Sequence, residues 1–173
     1  HGRKRPPSLT PRLFYLQPGD RLFVERRAAG SYTLASVQPD NNVFFFATGT
    51  GEAPHNAMIP ELLSRGHRGK IISVVTVKHL RDAAYRTCHE QLARWYSNYR
   101  YLVLTTRDLE PIDPGPSIIN RHCHLQDLIV SGHLERHTGV AINAANAQVF
   151  LWGNSGMIGA RRAAARFSVS GVA

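Results

Sequence analysis

The sequence predicts an α/β domain: a parallel sheet with helices on both faces. Three observations lead there. Short apolar runs at residues 43–46, 71–77, 101–106 and 148–152 have the length and side-chain types of strands. Helix-like or glycine-broken text separates them, the arrangement of strand–helix–strand units rather than hairpins. The first run passes into Thr48-Gly49-Thr50-Gly51-Glu52-Ala53-Pro54, a glycine turn that ends on a residue suited to a helix start.

Residues 13–34 read as strand and turn, with the turn at Leu16-Gln17-Pro18-Gly19-Asp20 and a short strand at Arg21-Leu22-Phe23-Val24-Glu25. Val43-Phe44-Phe45-Phe46 is apolar at every position, as in a strand buried on both faces. The helix after Pro54 contains Pro60, which costs ~3 kcal/mol in a helix interior unless the helix bends or restarts. Residues 71–77 are rich in β-branched side chains and form the second buried strand. A helix follows over 82–95, with Asp82 as N-cap and Tyr85, Cys88, Leu92 and Trp95 as its apolar stripe. The third strand, 101–106, leads to a proline-rich loop at 110–116. A helix at 124–131 ends near Gly132, and the last strand, 148–152, runs through Gly153-Asn154-Ser155-Gly156-Met157 into a short helix.

The composition bounds the function. The chain has 173 residues, 43% hydrophobic, enough for one ordinary core. No apolar stretch nears the ~20 residues of a membrane span. The basic start lacks the apolar segment of a secretory signal, and the absence of Met at position 1 suggests that the gene product begins earlier. Cys88 and Cys123 make no disulfide framework, so a reducing cytoplasm is expected. The net charge of +9 fits a solvated basic surface, or attraction to an acidic protein or phosphate-bearing ligand. Nucleic acid is not expected as a partner, because the basic residues lack interleaved aromatics. His122-Cys123-His124 lacks a second ligand pair, so no metal site is expected. Cys88-His89 reads as packing and surface.

Ligands of open parallel sheets lie at the carboxyl ends of the strands. Three segments fall there: Thr48 to Pro54, Thr106-Arg107, and Gly153-Asn154. Free backbone amides at a positive helix end favour phosphate, and an arginine offers phosphate oxygens a rigid fork of donors. A glycine turn alone also serves as a plain connection, and a single arginine as plain surface. Together at strand ends they point to a phosphate-bearing ligand. The turn is not the Gly-x-Gly-x-x-Gly of a dinucleotide Rossmann unit, since Pro54 takes the place of the third glycine.

The glycine turn, Asp82-Ala83-Ala84-Tyr85, and Leu151-Trp152-Gly153-Asn154 with Met157 resemble the ferredoxin–NADP reductase family, in particular its bacterial flavodoxin/ferredoxin reductase branch. The likeness runs from about Ser8 to Met157, with gaps. It implies that Thr48 to Pro54 bind the pyrophosphate of NADP(H) and that Thr106-Arg107 read the 2′-phosphate. Lys78, where the family has an arginine, and Arg121 are implied as further basic contacts. Ser8-Leu9-Thr10-Pro11-Arg12-Leu13 before Pro18-Gly19-Asp20 resembles a family segment whose amides help hold FAD, so Leu9 and Thr10 are implied FAD contacts; a proline-rich tail would read the same way. The implied architecture is a partial FAD-binding barrel remnant of β structure over 1–40 and an NADP-binding α/β domain over 41–173. The implied reaction is hydride transfer between NADP(H) and FAD, with single electrons exchanged with an acidic ferredoxin or flavodoxin.

Departures from the family stand beside these likenesses. Its Arg-x-Tyr-Ser flavin motif would lie before residue 1. Its Cys-Gly-Asn-Pro, with the cysteine beside the nicotinamide, is Trp152-Gly153-Asn154-Ser155 here, which makes Trp152 the candidate at the catalytic position. The chain ends without the family's frequent terminal aromatic. The expectation is an intact nucleotide half, with a non-catalytic NADP(H)-binding module as the alternative to a working reductase.

Overall fold

The computed structural model describes residues 9–27, 29–108, 117–121 and 124–158. The expected loop at 110–116, His122, Cys123 and the alanine-rich stretch 160–165 lie outside them. The chain separates into two units, His1–Tyr32 and Thr33–Ala173.

In the first unit a short helix, α1 (Leu9–Leu13), precedes the expected turn. There the Gln17 amide donates to Asp20 Oδ2 at 2.8 Å, the Asp20 amide donates to the Gln17 carbonyl at 3.0 Å, and Gly19 has φ 101°. Glycine at such a φ after proline is the type II arrangement. The expected strand over residues 21–25 is not formed, and no strand occurs among the described residues of this unit. A strand needs a neighbour to satisfy its amides and cover its side chains; here Phe23 is 96% exposed and Val24 78%. The expectation of a β remnant therefore meets a helical turn and irregular chain.

In the second unit, β1 (Asn42–Thr48) leads through a 3₁₀ turn at Gly49–Glu52 into α2 (His55–Ser64). Next come β2 (Ile71–Val77), α3 (Arg86–Trp95), β3 (Tyr99–Thr105) and β4 (Ile118–Arg121). Two short helices, α4 (Leu125–Val130) and α5 (His133–Thr138), precede β5 (Ala147–Trp152) and α6 (Ser155–Ile158). The five strands form one parallel sheet in the order β4-β3-β2-β1-β5. Pairing runs Val43 to Ile71 and Phe44 to Val149, so the central strands end at nearly the same height.

Alternation splits the central strands between two covered faces. Phe44, Phe46, Ile72, Val74, Leu102 and Leu104 pack with Leu125, Leu128, Leu134 and Val140 from the α4–α5 side. Phe45, Ser73, Tyr99 and Tyr101 meet α2 and α3 on the other side, where the Phe45 and His55 rings lie 5.0 Å apart. The parallel sheet with helices on both faces is thus as the sequence predicts.

Helix α2 continues through Pro60, which sits on its exposed side while Met58, Ile59, Leu62 and Leu63 are buried. The helix expected from Asp82 begins instead at Arg86. Asp82 closes a separate 3₁₀ turn at Leu80–Asp82, accepting from the His79 amide at 3.1 Å. Of the expected apolar stripe Leu92 is half-buried, while Cys88 is exposed with Tyr85 at 42% and Trp95 at 75%. The buried residue of α3 is His89, because β3 presents two tyrosines that a polar ring can match.

Candidate functional site

The strand order places β5 and β2 on opposite sides of β1. The chain leaves β1 into α2 on one face of the sheet and leaves β5 toward Met157, which packs on the other, so the two strand ends form the kind of crossover beside which open sheets bind ligands. The glycine turn after β1 and the Gly153-Asn154 segment after β5 meet at this point. The Asn154 amide donates to Thr48 Oγ1 at 2.7 Å. Gly153 has φ 146°, and a Cβ on it would lie 2.2 Å from the same hydroxyl. A Cβ on Gly51 would lie 2.3 Å from the Trp152 carbonyl. Gly51 is therefore required by the Trp152 backbone against it, and Gly153 by its positive φ and by the side chain and amide of Thr48. Gly49 differs: it has φ 51° with open space around it, so its conformation, and not crowding, favours glycine.

The turn presents two sides. Gly49 and Thr50 are exposed, whereas Gly51 and Glu52 are buried. Ala53 is exposed and Pro54, with φ −64° and ψ −32°, leads into α2. Beside the turn lies a cleft of about 450 Å³ lined by Thr48, Thr76, Leu125, Gln126, Asn154 and Met157 among others. Thr76 Oγ1 is buried there without a hydrogen-bond partner. Asn154 Oδ1 accepts from the Gly156 amide at 2.8 Å, which seats α6 at the cleft margin.

The basic candidates stand further along the same edge. Beyond the sheet, Thr106 donates its amide to the Val77 carbonyl at 3.0 Å and Arg107 to that of Lys78 at 2.9 Å. The exposed Lys78 and Arg107 are thus adjacent. Asp108 fastens the two loops, accepting from His79 Nδ1 at 3.0 Å and from the Leu80 amide at 2.9 Å. Burial would raise the Asp108 carboxyl, but the Leu80 amide and the His79 ring outweigh it and hold the group below its ordinary range. Arg121 ends β4 opposite Thr105 in register. Leu9 and Thr10 belong to α1 of the first unit. Trp152 ends β5, 47% exposed.

Sequence reasoning passed over His79 and Asp108. Their signal is positional: each lies just beyond the end of neighbouring parallel strands, so the two come to one height. Among the described residues no three His, Cys, Asp or Glu side chains converge to hold a metal ion, and no helix is long and apolar enough to cross a membrane.

No family model matches the chain. The flavodoxin/ferredoxin–NADP reductase of Escherichia coli (strain K12) is 27% identical over 151 residues, covering 87% of this chain and 58% of that protein. The flavodoxin/ferredoxin–NADP reductase of Buchnera aphidicola subsp. Schizaphis graminum is 26% identical over 147 residues, 84% of this chain and 54% of its own length. The chain thus spans little more than half the length of these curated relatives. The crystal structure of a ferredoxin NADP+ reductase from Neisseria gonorrhoeae with bound FAD and NADP matches with a TM-score of 0.74 at 17% identity, over 88% of this chain and 59% of that one. The chain is a distant homologue of the flavodoxin/ferredoxin–NADP reductases over roughly their NADP-binding half, and its sheet resembles their NADP-binding domain.

Proposed function

We propose that this distant homologue of the flavodoxin/ferredoxin–NADP reductases binds NADP(H) at the carboxyl edge of its sheet, as the nucleotide half of a reductase. The observation that carries the reading is the junction of β1 and β5, where the Asn154 amide on Thr48 joins two glycine segments at the crossover of the sheet. The exposed Gly49-Thr50 side of the turn offers a surface without bulky side chains to a pyrophosphate. Lys78 and Arg107, held side by side, supply two cations for the 2′-phosphate, with Arg121 as a further candidate. The neighbouring cleft, with its unpartnered Thr76 hydroxyl, is large enough for a nucleotide ring. Trp152 offers stacking area at the position implied to lie beside the nicotinamide.

The residue types present fit NADP(H) well. They fit FAD less well, because the described part of the first unit is one helical turn and irregular chain, with Leu9, Phe14 and Phe23 exposed. FAD, where bound, would accept the hydride and pass single electrons to a ferredoxin or flavodoxin; this chain's share is to bind and orient the dinucleotide. The boundary near residue 40 and the cytoplasmic location remain parts of this proposal. Calorimetry tests it: NADP+ should bind with one site, and tighter than NAD+ by tenfold or more. Equal affinities would remove Lys78 and Arg107 from the site. Binding without any flavin absorbance in the purified protein would favour the second reading, a nucleotide-binding module that does not turn over.

A further inference from the structure

Glu52 belongs to the glycine turn, yet its side chain faces inward and is 2% exposed. A ligand resting on Gly49 and Thr50 would not touch it. It enters a polar nest between the turn, α2, α3 and β3. Glu52 Oε1 lies 3.6 Å from His89 Nε2. Both nitrogens of that ring are engaged already, Nε2 with Asn56 Oδ1 and Nδ1 with the Tyr99 hydroxyl, each at 2.7 Å. With Asn56 Oδ1 accepting and the Tyr99 hydroxyl donating, His89 is a neutral ring and gives Glu52 no counter-charge. Tyr101 stacks on His89 at 4.5 Å. Its hydroxyl lies beside the Glu52 carboxyl, but neither that hydroxyl nor Oε1 completes a well-formed hydrogen bond.

The titratable groups around Glu52 are His55 of α2, His89 of α3, and Tyr99 and Tyr101 of β3; Glu90 stands beyond Tyr101 with Arg86 upon it. None of them is a cation facing Glu52, since burial holds both histidines down to about 4. A buried carboxylate without counter-charge is costly, whereas the neutral acid is tolerated. Burial accordingly raises the Glu52 carboxyl above its ordinary range.

We propose that Glu52 couples the glycine turn to pH: seating a pyrophosphate on the outer side of that turn raises the proton affinity of its carboxyl, so that the fraction ionised in the free protein takes up protons from solvent. The inference rests on the nucleotide reading above. The carboxyl lies buried beneath the inner side of the turn whose outer side takes the ligand, so bound negative charge comes close to a group shielded from water. Like charges there disfavour ionisation, and any difference in proton affinity between free and bound states makes nucleotide affinity depend on pH.

Calorimetric titration of NADP+ into the wild-type protein and Glu52→Gln, between about pH 5 and 9 in two buffers of different ionisation enthalpy, tests the coupling. Glutamine keeps the shape of the protonated acid. The wild type should take up more protons than the variant, and its affinity should fall relative to the variant as pH rises, by up to about tenfold per pH unit. Titration of the 2′-phosphate itself is common to both proteins and cancels in the difference. Equal proton counts with parallel pH profiles would overturn the coupling alone. Failure of both folded proteins to bind NADP+ would overturn the nucleotide reading and the coupling with it. If Glu52→Gln does not fold, Tyr101→Phe removes the neighbouring hydroxyl and should displace the wild-type pH profile; an unchanged profile contradicts the proposal.

Discussion

The Asn154 amide donates to the Thr48 hydroxyl at 2.7 Å, across a sequence separation of 106 residues. This bond ties the end of β5 to the end of β1 where the sheet reverses its order. Replacing Thr48 with alanine should cost about 1 kcal/mol, the net worth of one such bond, while serine should retain most of it. Thermal unfolding of the two variants checks this. A Thr48→Ala variant as stable as wild type would mean that the loops are held by packing alone.

Gly51 and Gly49 should respond differently to alanine. Alanine at 51 drives a Cβ toward the Trp152 carbonyl, whose approach of 2.3 Å cannot be accommodated without moving β5; a loss of about 1–3 kcal/mol is expected. Alanine at 49 meets no neighbour and bears only the left-handed φ of 51°, about 1–2 kcal/mol. Gly51→Ala should also shift amide resonances of Trp152 and Gly153, whereas Gly49→Ala should leave them in place.

Lys78 and Arg107 are joined through their backbones and steadied by Asp108. Arg107→Ala should reduce the preference for NADP+ over NAD+ by about tenfold or more, the scale of a charge-assisted contact. Asp108→Ala frees the His79 and Leu80 side of the clamp. It should weaken NADP+ more than NAD+, with a smaller effect than removing Arg107. Competitive binding with the two dinucleotides measures both.

Burial holds His55 and His89 at about 4, below the ordinary 6.5. The unfolded chain therefore binds protons that the folded chain refuses between about pH 6.5 and 4, and stability must fall as pH drops through that window. A loss on the order of 3 kcal/mol is expected for each of the two histidines. Glu52 has the opposite sign: its raised carboxyl lends stability at low pH that is lost as pH rises through its folded value. Urea titrations of wild type and His89→Gln across acid pH check this; equal acid sensitivity would show that His89 is not refused its proton.

The strands were legible because side chains that must be buried on both faces leave little choice of residue, as in Val43-Phe44-Phe45-Phe46. The glycine turn and Gly153-Asn154 were legible because their backbones need glycine. Helix α3 was misread because its inward stripe is polar: His89 is buried for the sake of Tyr99 and Tyr101, which lie ten and twelve residues away and whose hydroxyls no periodicity reveals. Strand β4 and helix α5 are too short to show a period, and α5 starts at once after Gly132, which reads as an end. The inward course of Glu52 was hidden too, since a turn residue in sequence carries no sign of which side it takes.

Amide chemical-shift mapping with NADP+ decides whether the carboxyl edge of the sheet holds the dinucleotide. Saturable shifts are expected at Gly49, Thr50, Gly51, Gly153, Asn154, Lys78 and Arg107, with the Lys78 and Arg107 shifts much reduced when NAD+ replaces NADP+. Shifts confined to other surfaces, or no saturable shifts at millimolar nucleotide, would contradict that placement.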